Sequence, residues 1–205
     1  MKPAADNIIK FHEIEITWRF MNDYQSFLAE ILIPEDKLKK RVKELGEEIS
    51  RDYAGKKILA ICILRGGVMF LTDLVRHIKP LVAIDFMGVS SYGVGSRESN
   101  GQVRITLDLT TSIAGKHVLI VEDIIDSGNT LSSVIEMLRT RNPASLEVCT
   151  LLNKYSRREV DVPIKYCGFD IPDKFVFGYG LDMDEFYRNL PFIGVVDLEK
   201  YEAEF

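Results

Sequence analysis

Two acidic residues and a short run of small polar residues stand together in the middle of the chain. Glu122 and Asp123 follow the apolar run 118–121, and residues 126–130 read Asp-Ser-Gly-Asn-Thr. Backbone N–H groups and hydroxyls in front of a helix bind phosphate, and glycine lets the backbone approach it closely. Carboxylates hold Mg²⁺ or a hydroxylated sugar. The segment therefore predicts a site for a sugar phosphate and its metal ion.

The flanking residues predict a strand before this segment and a helix after it. Residues 118–121 are apolar, as in a strand that is covered on both faces. Beyond the acids, apolar residues recur at the spacing of one helix face: Leu131, Val134, Ile135 and Leu138. No Gly-Lys-Ser/Thr ends the loop and no Gly-x-Gly-x-x-Gly occurs, so it is neither a nucleotide P-loop nor a dinucleotide fingerprint.

The stretch Val118–Leu131 resembles the 5-phosphoribosyl-1-diphosphate motif of the type I phosphoribosyltransferases, in which two acids and then Asp-Ser/Thr-Gly-x-Thr follow a hydrophobic run. An acidic turn alone would not explain this combination. The resemblance implies that Asp126 is the general base and that Glu122 and Asp123 bind Mg²⁺. It also implies a set of residues that holds the ribose and its 5'-phosphate: Glu122, Asp123, Ser127, Gly128, Asn129 and Thr130.

Two more segments resemble the diphosphate site of this family. Leu64-Arg65-Gly66-Gly67 is similar to the pyrophosphate loop of the purine phosphoribosyltransferases, although many members have lysine where this chain has Arg65. Arg188 matches a diphosphate-binding arginine, and Asp182 matches a ligand of a second Mg²⁺. A tight turn is the plain alternative for the loop, and a surface salt bridge is the alternative for Arg188.

The resemblance further implies a lid and a purine site. Ser91-Tyr92, within a glycine-rich loop expected at residues 90–101, matches the Ser-Tyr pair that closes over the reacting centre and excludes water. Residues 171–182 resemble the base-binding segment of the hypoxanthine-guanine phosphoribosyltransferases, with Phe175 stacking on the purine and the backbone of Val176 at its edge. The family's equivalent of Lys154 donates to the purine O6, which favours a 6-oxopurine over adenine.

Composition and charge restrict the class of protein. The chain has 205 residues, 46% hydrophobic and 28% charged, which is typical of a globular protein. A net charge of −5 disfavours a nucleic-acid binder. Cys62 and Cys149 lie in apolar runs and predict buried thiols rather than disulfides. No signal core and no bilayer-spanning run is recognised, so we expect a cytoplasmic protein without a membrane partner.

Alternating strands and helices predict an α/β fold with a mostly parallel central sheet and helices on both faces. The expected strands are 27–33, 58–63, 81–89, 103–109, 118–121, 146–152, 166–169, 175–179 and 193–196, with helices after Pro34, from Val68 to near Pro80 and from Leu131. Arg65, Asp126 and Lys154 all follow strands and can share one crevice. We expect one domain, 1–205, with a core at about 27–155 and a small hood from the chain ends, mainly 156–205 with N-terminal residues.

The resemblance implies a purine salvage enzyme that uses Mg²⁺ and transfers the phosphoribosyl group to hypoxanthine or guanine, giving IMP or GMP and pyrophosphate. Its partners would be 5-phosphoribosyl 1-diphosphate and a 6-oxopurine, in a homodimer or homotetramer. Two alternatives stay open: a regulator with this fold that binds nucleic acid, and a phosphoribosyltransferase for another base such as xanthine.

Overall fold

The computed structural model describes residues 24–91 and 103–204. In chain order the elements are α1 (Tyr24–Phe27), β1 (Leu28–Ile33), α2 (Glu35–Asp52), β2 (Ile58–Leu64), α3 (Val68–Val75), β3 (Val82–Ser91), β4 (Val103–Leu107), β5 (His117–Ile125), α4 (Asn129–Arg139), β6 (Ser145–Asn153), β7 (Tyr166–Asp170), β8 (Val176–Phe177), β9 (Ile193–Val196) and α5 (Leu198–Glu204). None of these helices is long and apolar enough to cross a membrane.

The central sheet has six strands in the order β4-β3-β2-β5-β6-β7. The pairs from β3 to β7 are parallel, and β4 joins β3 antiparallel. Apolar runs such as Ile58–Leu64 supply strands whose two faces are both covered, as parallel strands require. The predicted mostly parallel sheet is therefore confirmed.

Two hydrophobic cores lie on opposite faces of this sheet. Alternate residues of β2 point to opposite sides, so Ala60 and Cys62 pack with α2 and α3 while Leu59 and Ile61 pack with α4. The buried stripe of α2 repeats every three to four residues, as expected for one helix face: Leu38, Val42, Leu45 and Ile49. Helices on both faces are confirmed, and Cys62 and Cys149 are free, buried thiols.

The chain ends build a second, three-stranded antiparallel sheet in the order β1-β9-β8. Leu28 pairs with Val196, and a small aromatic core forms around Phe27 and Phe177. This sheet is the predicted hood. The two sheets do not divide the chain at residue 155. Strand β1 lies within 27–155 but pairs in the hood sheet, and β7 lies after residue 155 but pairs with β6 of the central sheet.

Several predicted boundaries differ from the structure, three of them near the polar segments. Strand β5 does not end before the acids but continues through Glu122 and Asp123 to Ile125, because the ladder with β6 persists there. Ser91 pairs with Val103 and lies in β3 rather than in a loop, while Tyr92 is outside the described residues. Helix α3 ends at Val75, five residues before Pro80.

Candidate functional site

Three strands deliver polar residues to one edge of the central sheet. Strands β2, β5 and β6 are neighbours and run parallel, so their carboxyl ends meet at the same edge. Asp126 follows β5 and Lys154 follows β6, and Lys154 N donates to Ile125 O at 3.0 Å. The predicted crevice therefore has both residues at neighbouring strand ends.

Four charged side chains form a cluster at this edge: Asp126, Lys154, Arg157 and Asp173. We name them the charge cluster. Lys154 Nζ lies 4.0 Å from Asp126 Oδ2 and 3.8 Å from Asp173 Oδ1. Arg157 Nε lies 3.3 Å from Asp126 Oδ1, and its Nη1 lies 3.6 Å from Asp173 Oδ1. Two cations and two carboxylates thus alternate beside the end of β5.

The charge cluster contains one shielded carboxylate oxygen. Asp126 Oδ1 is removed from solvent and accepts no hydrogen bond from the described part of the chain. Lys154 is 7% exposed. The Asp126 side chain as a whole is 44% exposed, so its carboxylate and the ammonium of Lys154 offer one acceptor and one donor group to a polar ligand.

The loop between β5 and α4 packs closely against the segment that follows Lys154. Gly128 has φ +88°, and a Cβ there would lie 2.5 Å from Val160 O. Ser127 O accepts hydrogen bonds from the N–H groups of Glu159 and Val160 at 2.9 and 3.1 Å. Gly128 is the N-cap of α4 and supplies no capping side chain, and the N–H groups at such a helix start can bind an anion.

Asn129 and Thr130 form the first residues of α4. Asn129 Nδ2 donates to Glu159 Oε2 at 2.6 Å, which ties the loop to the segment after Lys154. Its backbone N–H points toward Ser127 Oγ at 3.4 Å. The structure therefore brings Ser127, Gly128, Asn129 and Thr130 together in one strand-to-helix turn.

At the end of β5, Asp123 is buried and Glu122 is partly buried. Burial, and secondarily the charge of Asp123, raise the pKa of Glu122 well above its usual value. Burial also raises the pKa of Asp123 to about 6, against the hydrogen bond from Ile124 N at 2.8 Å. Glu122 Oε2 is shielded and has no hydrogen-bond partner among the described residues. Neighbouring carboxylates with an unused oxygen suit a divalent cation.

The loop after β2 packs against the acids and against the hood. A Cβ on Gly66 would lie 1.6 Å from Asp123 Oδ2, so only glycine fits there. Gly180 approaches the other side of the same loop, since its Cβ would lie 2.1 Å from Gly66 O. These contacts fix the predicted pyrophosphate loop beside Asp123.

Two arginines and two acids lie where this loop meets the hood. Arg65 forms a bidentate pair with Glu185, with Nη–Oε distances of 2.7 and 2.8 Å. Arg188 donates to Gly180 O at 2.8 Å and lies 2.8 Å from Asp182 Oδ1 and 3.5 Å from Glu185 Oε2. Arg65 and Arg188 are therefore joined through the carboxylate of Glu185.

Asp182, predicted as a metal ligand, is occupied by protein contacts. Its Oδ1 pairs with Arg188, and its Oδ2 accepts the N–H of Glu185 at 3.0 Å. Across residues 24–91 and 103–204, no three His, Cys, Asp or Glu side chains converge as a metal-binding group. Asp182 still lies near the acidic pair, since after burial its charge contributes to the raised pKa of Asp123.

The predicted purine segment borders the charge cluster. Phe175 follows Asp173 by two residues and is 49% exposed, whereas Val176 begins β8 and is buried. Val196 N donates to Phe175 O at 2.9 Å, which anchors this segment to the hood sheet. An exposed aromatic ring at this position can offer one face to a planar ligand.

Sequence reasoning missed three charged residues of this site: Arg157, Asp173 and Glu185. Arg157 stands three residues beyond Lys154, on a 3₁₀ turn at Tyr155–Arg157. That spacing was a readable signal, because residues three apart on such a turn lie on the same side. Asp173 and Glu185 gave no such signal, since their partners lie in distant segments.

Comparisons with known proteins identify the family of this chain. The family model described as Phosphoribosyl transferase domain matches residues 31–184. The hypoxanthine-guanine phosphoribosyltransferase of Staphylococcus aureus is 49% identical over 174 residues, covering 85% of this chain and 97% of that protein. The hypoxanthine phosphoribosyltransferase of Salmonella typhimurium is 52% identical over 172 residues, covering 83% and 96%.

Solved structures give the same result. A hypoxanthine phosphoribosyltransferase from Staphylococcus aureus matches with a TM-score of 0.84 and 48% identity, over 88% of this chain and 98% of that chain. The Trypanosoma cruzi hypoxanthine phosphoribosyltransferase matches with a TM-score of 0.81 and 41% identity, over 87% and 96%. The resemblance found in the motifs is confirmed, and the chain belongs to the hypoxanthine-guanine phosphoribosyltransferases of the phosphoribosyl transferase family.

Proposed function

We propose that the chain transfers the 5-phosphoribosyl group from 5-phospho-α-D-ribose 1-diphosphate to N9 of hypoxanthine or guanine, giving IMP or GMP and pyrophosphate. The observation that carries this proposal is the meeting of Asp126 and Lys154 at neighbouring strand ends, with Lys154 N bonded to Ile125 O. One group can accept a proton from a base while the other donates to its carbonyl.

At the purine, each group has a distinct role in the proposal. Asp126 accepts the proton from N7 as the bond to N9 forms, and its partly exposed carboxylate supports that role. Lys154 donates to O6, which adenine replaces with an amine donor. Phe175 stacks on the ring, and the backbone of Val176 recognises its edge.

At the sugar, the turn before α4 holds the 5'-phosphate. The backbone and side chains of Ser127, Gly128, Asn129 and Thr130 would contact its oxygens, with the helix dipole adding to the attraction. Glu122 and Asp123 would contact the ribose hydroxyls. This arrangement fixes the reacting carbon relative to the purine.

At the diphosphate, Arg65 and the backbone of Gly66 bind one side and Arg188 the other. Both arginines contact the carboxylate of Glu185, so two cations already surround one anionic group at this position. The oxygens of a diphosphate could bind the same two cations, which supports this role. Their charge stabilises the departing negative charge. Ser91 and Tyr92 would close over the centre and exclude water.

Glu122 and Asp123 are the residues that would hold Mg²⁺. The unused, shielded oxygen of Glu122 and the burial of Asp123 fit a cation. When bound, Mg²⁺ neutralises charge on the diphosphate oxygens. Asp182 would bind a second Mg²⁺, and its carboxylate would then give up its contact with Arg188.

A homodimer or a homotetramer is the assembly we propose. Ile84 and Phe86 lie on one face of β3, Leu107 stands opposite Gly88 on the same face, and all three apolar side chains are exposed. Ile84→Glu should therefore shift the chain to a smaller species in sedimentation velocity, and Leu198→Glu, at another exposed position, should not. An unchanged assembly in Ile84→Glu would rule out this face. A cytoplasmic location stays a prediction.

The proposed function is tested by incubating the protein with Mg²⁺, the phosphoribosyl diphosphate and, separately, hypoxanthine, guanine, xanthine, adenine and uracil. We expect nucleotide and pyrophosphate from hypoxanthine or guanine and none from adenine or uracil. Nucleotide from xanthine alone would move the proposal to another base. A folded protein that binds the donor but forms no nucleotide would contradict it, and tight nucleic-acid binding would then favour a regulator.

A further inference from the structure

Lys154 and Arg157 both lie near the carboxylates of Asp126 and Asp173, but they differ in burial and in distance. The side chain of Lys154 is 9% exposed, and that of Arg157 is 55% exposed. Lys154 Nζ stays 3.8–4.0 Å from the carboxylates of Asp126 and Asp173, beyond the usual hydrogen-bond length of about 2.7–3.2 Å. Arg157 approaches Asp126 more closely, at 3.3 Å. The buried cation is the more loosely held of the two.

The local backbone keeps the two cations side by side. Residues Tyr155–Arg157 form a 3₁₀ turn, and Arg157 N donates to Lys154 O at 3.2 Å. The guanidinium carries five donors in a planar fork, so it can contact Asp126 through Nε and Asp173 through Nη1 at once. Both carboxylates therefore have a cation besides Lys154.

We propose that Arg157 is a positioning residue that neutralises Asp126 and Asp173, so that the ammonium of Lys154 keeps its donors for the carbonyl oxygen of the purine. This inference rests on the proposed function. Without Arg157, two carboxylates would share one buried cation, and their attraction would draw Lys154 into a close ion pair. The purine would then have to compete with that ion pair for the same donors.

The test compares Arg157→Ala, Arg157→Gln and Arg157→Lys in steady-state kinetics. For Arg157→Ala and Arg157→Gln we expect the KM for hypoxanthine to rise about tenfold, the size of a weakened charge-assisted hydrogen bond, and the KM for the phosphoribosyl diphosphate to stay unchanged. Arg157→Lys should restore most of the affinity. Arg76→Ala, which removes an exposed arginine just after α3 that is paired with Asp73 at 3.6 Å, is the matched control and should resemble the wild type.

A double-mutant cycle separates positioning from a structural role. If Arg157 acts through Lys154, the effect of Arg157→Ala on the KM for hypoxanthine should vanish in a Lys154→Ala background. An equal effect in both backgrounds would overturn the inference, as would an unaffected KM in both Arg157→Ala and Arg157→Gln. Those results leave the proposed function standing, whereas a wild-type protein that forms no nucleotide overturns both.

Discussion

Lys154 is a buried ammonium whose charge is balanced before any ligand arrives. It is 7% exposed and has a carboxylate on either side, so the cost of burying it is offset by Asp126 and Asp173. Neither contact is short enough to use its donors fully. This state suits recognition of a carbonyl oxygen, which needs a donor that is available and charged.

Lys154→Ala should erode discrimination against adenine. We expect the ratio of kcat/KM for hypoxanthine over adenine to fall about 10- to 100-fold, because the variant loses a charged donor to O6 and no longer opposes the adenine amine. The measurement is the rate of nucleotide formation with each base. Lys200→Ala, an exposed lysine paired with Asp197, is the control. An unaltered base preference would contradict the proposed hydrogen bond from Lys154 to the purine O6.

The acidic pair at the end of β5 is destabilising by itself at neutral pH. Burial raises the pKa of Asp123 to about 6, so above that pH the folded chain carries a charge that it disfavours. The unfolded chain ionises the same carboxyl near 3.8, and folding stability therefore falls as the pH rises from there to about 6. A bound cation would reverse this loss.

Mg²⁺ should consequently stabilise the fold, and more so at neutral than at acid pH. We expect Tm to rise by about 2–8 °C at saturating Mg²⁺ near pH 7.5 and by less near pH 5, where protons compete for Asp123. Calorimetry on the wild type and on the double variant Glu122→Gln, Asp123→Asn provides the measurement. Equal shifts in the two proteins would show that the ion binds elsewhere.

At the scale of elements, hydrophobic pattern was sufficient for the strands that are buried on both faces. The apolar runs of β2 and β6 predicted their positions to within a residue or two. Pattern failed where a polar residue continues a strand. Glu122 stays in β5 because its backbone pairs opposite Thr150. The ladder is formed by backbone groups, so polar side chains can follow an apolar run without interrupting the strand.

Strand β3 carries a buried acid that sequence pattern passed over. Asp85 is 4% exposed and accepts five hydrogen bonds, from Phe86 N and from the backbone and hydroxyl groups of Thr110 and Thr111. Burial alone would raise the pKa of Asp85, but these hydrogen bonds outweigh it and lower the pKa. The acid thereby anchors the chain between β4 and β5 to the sheet.

Asp85→Asn should lower the free energy of unfolding at pH 7 by about 1–3 kcal/mol, since an amide is a weaker acceptor and brings its own donors. Because the folded pKa lies below 3.8, the stability from this charge is complete above that pH and is lost as the pH falls through the lowered value. Urea unfolding should show this difference in the free energy of unfolding between the wild type and Asp85→Asn at pH 7, and a smaller difference near pH 3. A constant gap would contradict the charge argument; Asp161→Asn, at an exposed position, is the control.

At the scale of the molecule, the site joins segments that are far apart along the chain. The rule that parallel strands end at one edge was enough to predict that Asp126 and Lys154 meet. It could not predict that Glu185 would contact Arg65, 120 residues earlier, because that contact depends on how the hood packs on the sheet. Glycines at 66 and 180 permit the packing, and only the folded structure reveals why they are required.

The most direct test of the central claim is single-turnover formation of nucleotide from hypoxanthine with the donor already bound, in the wild type and in Asp126→Asn. Asparagine keeps the size of the side chain but cannot accept the N7 proton. We therefore predict that the rate of nucleotide formation falls by at least about 100-fold, with the affinity for the donor unchanged. Asp161→Asn should match the wild type. Equal rates in the wild type and Asp126→Asn would contradict the account, because proton acceptance by Asp126 would then play no part in the transfer.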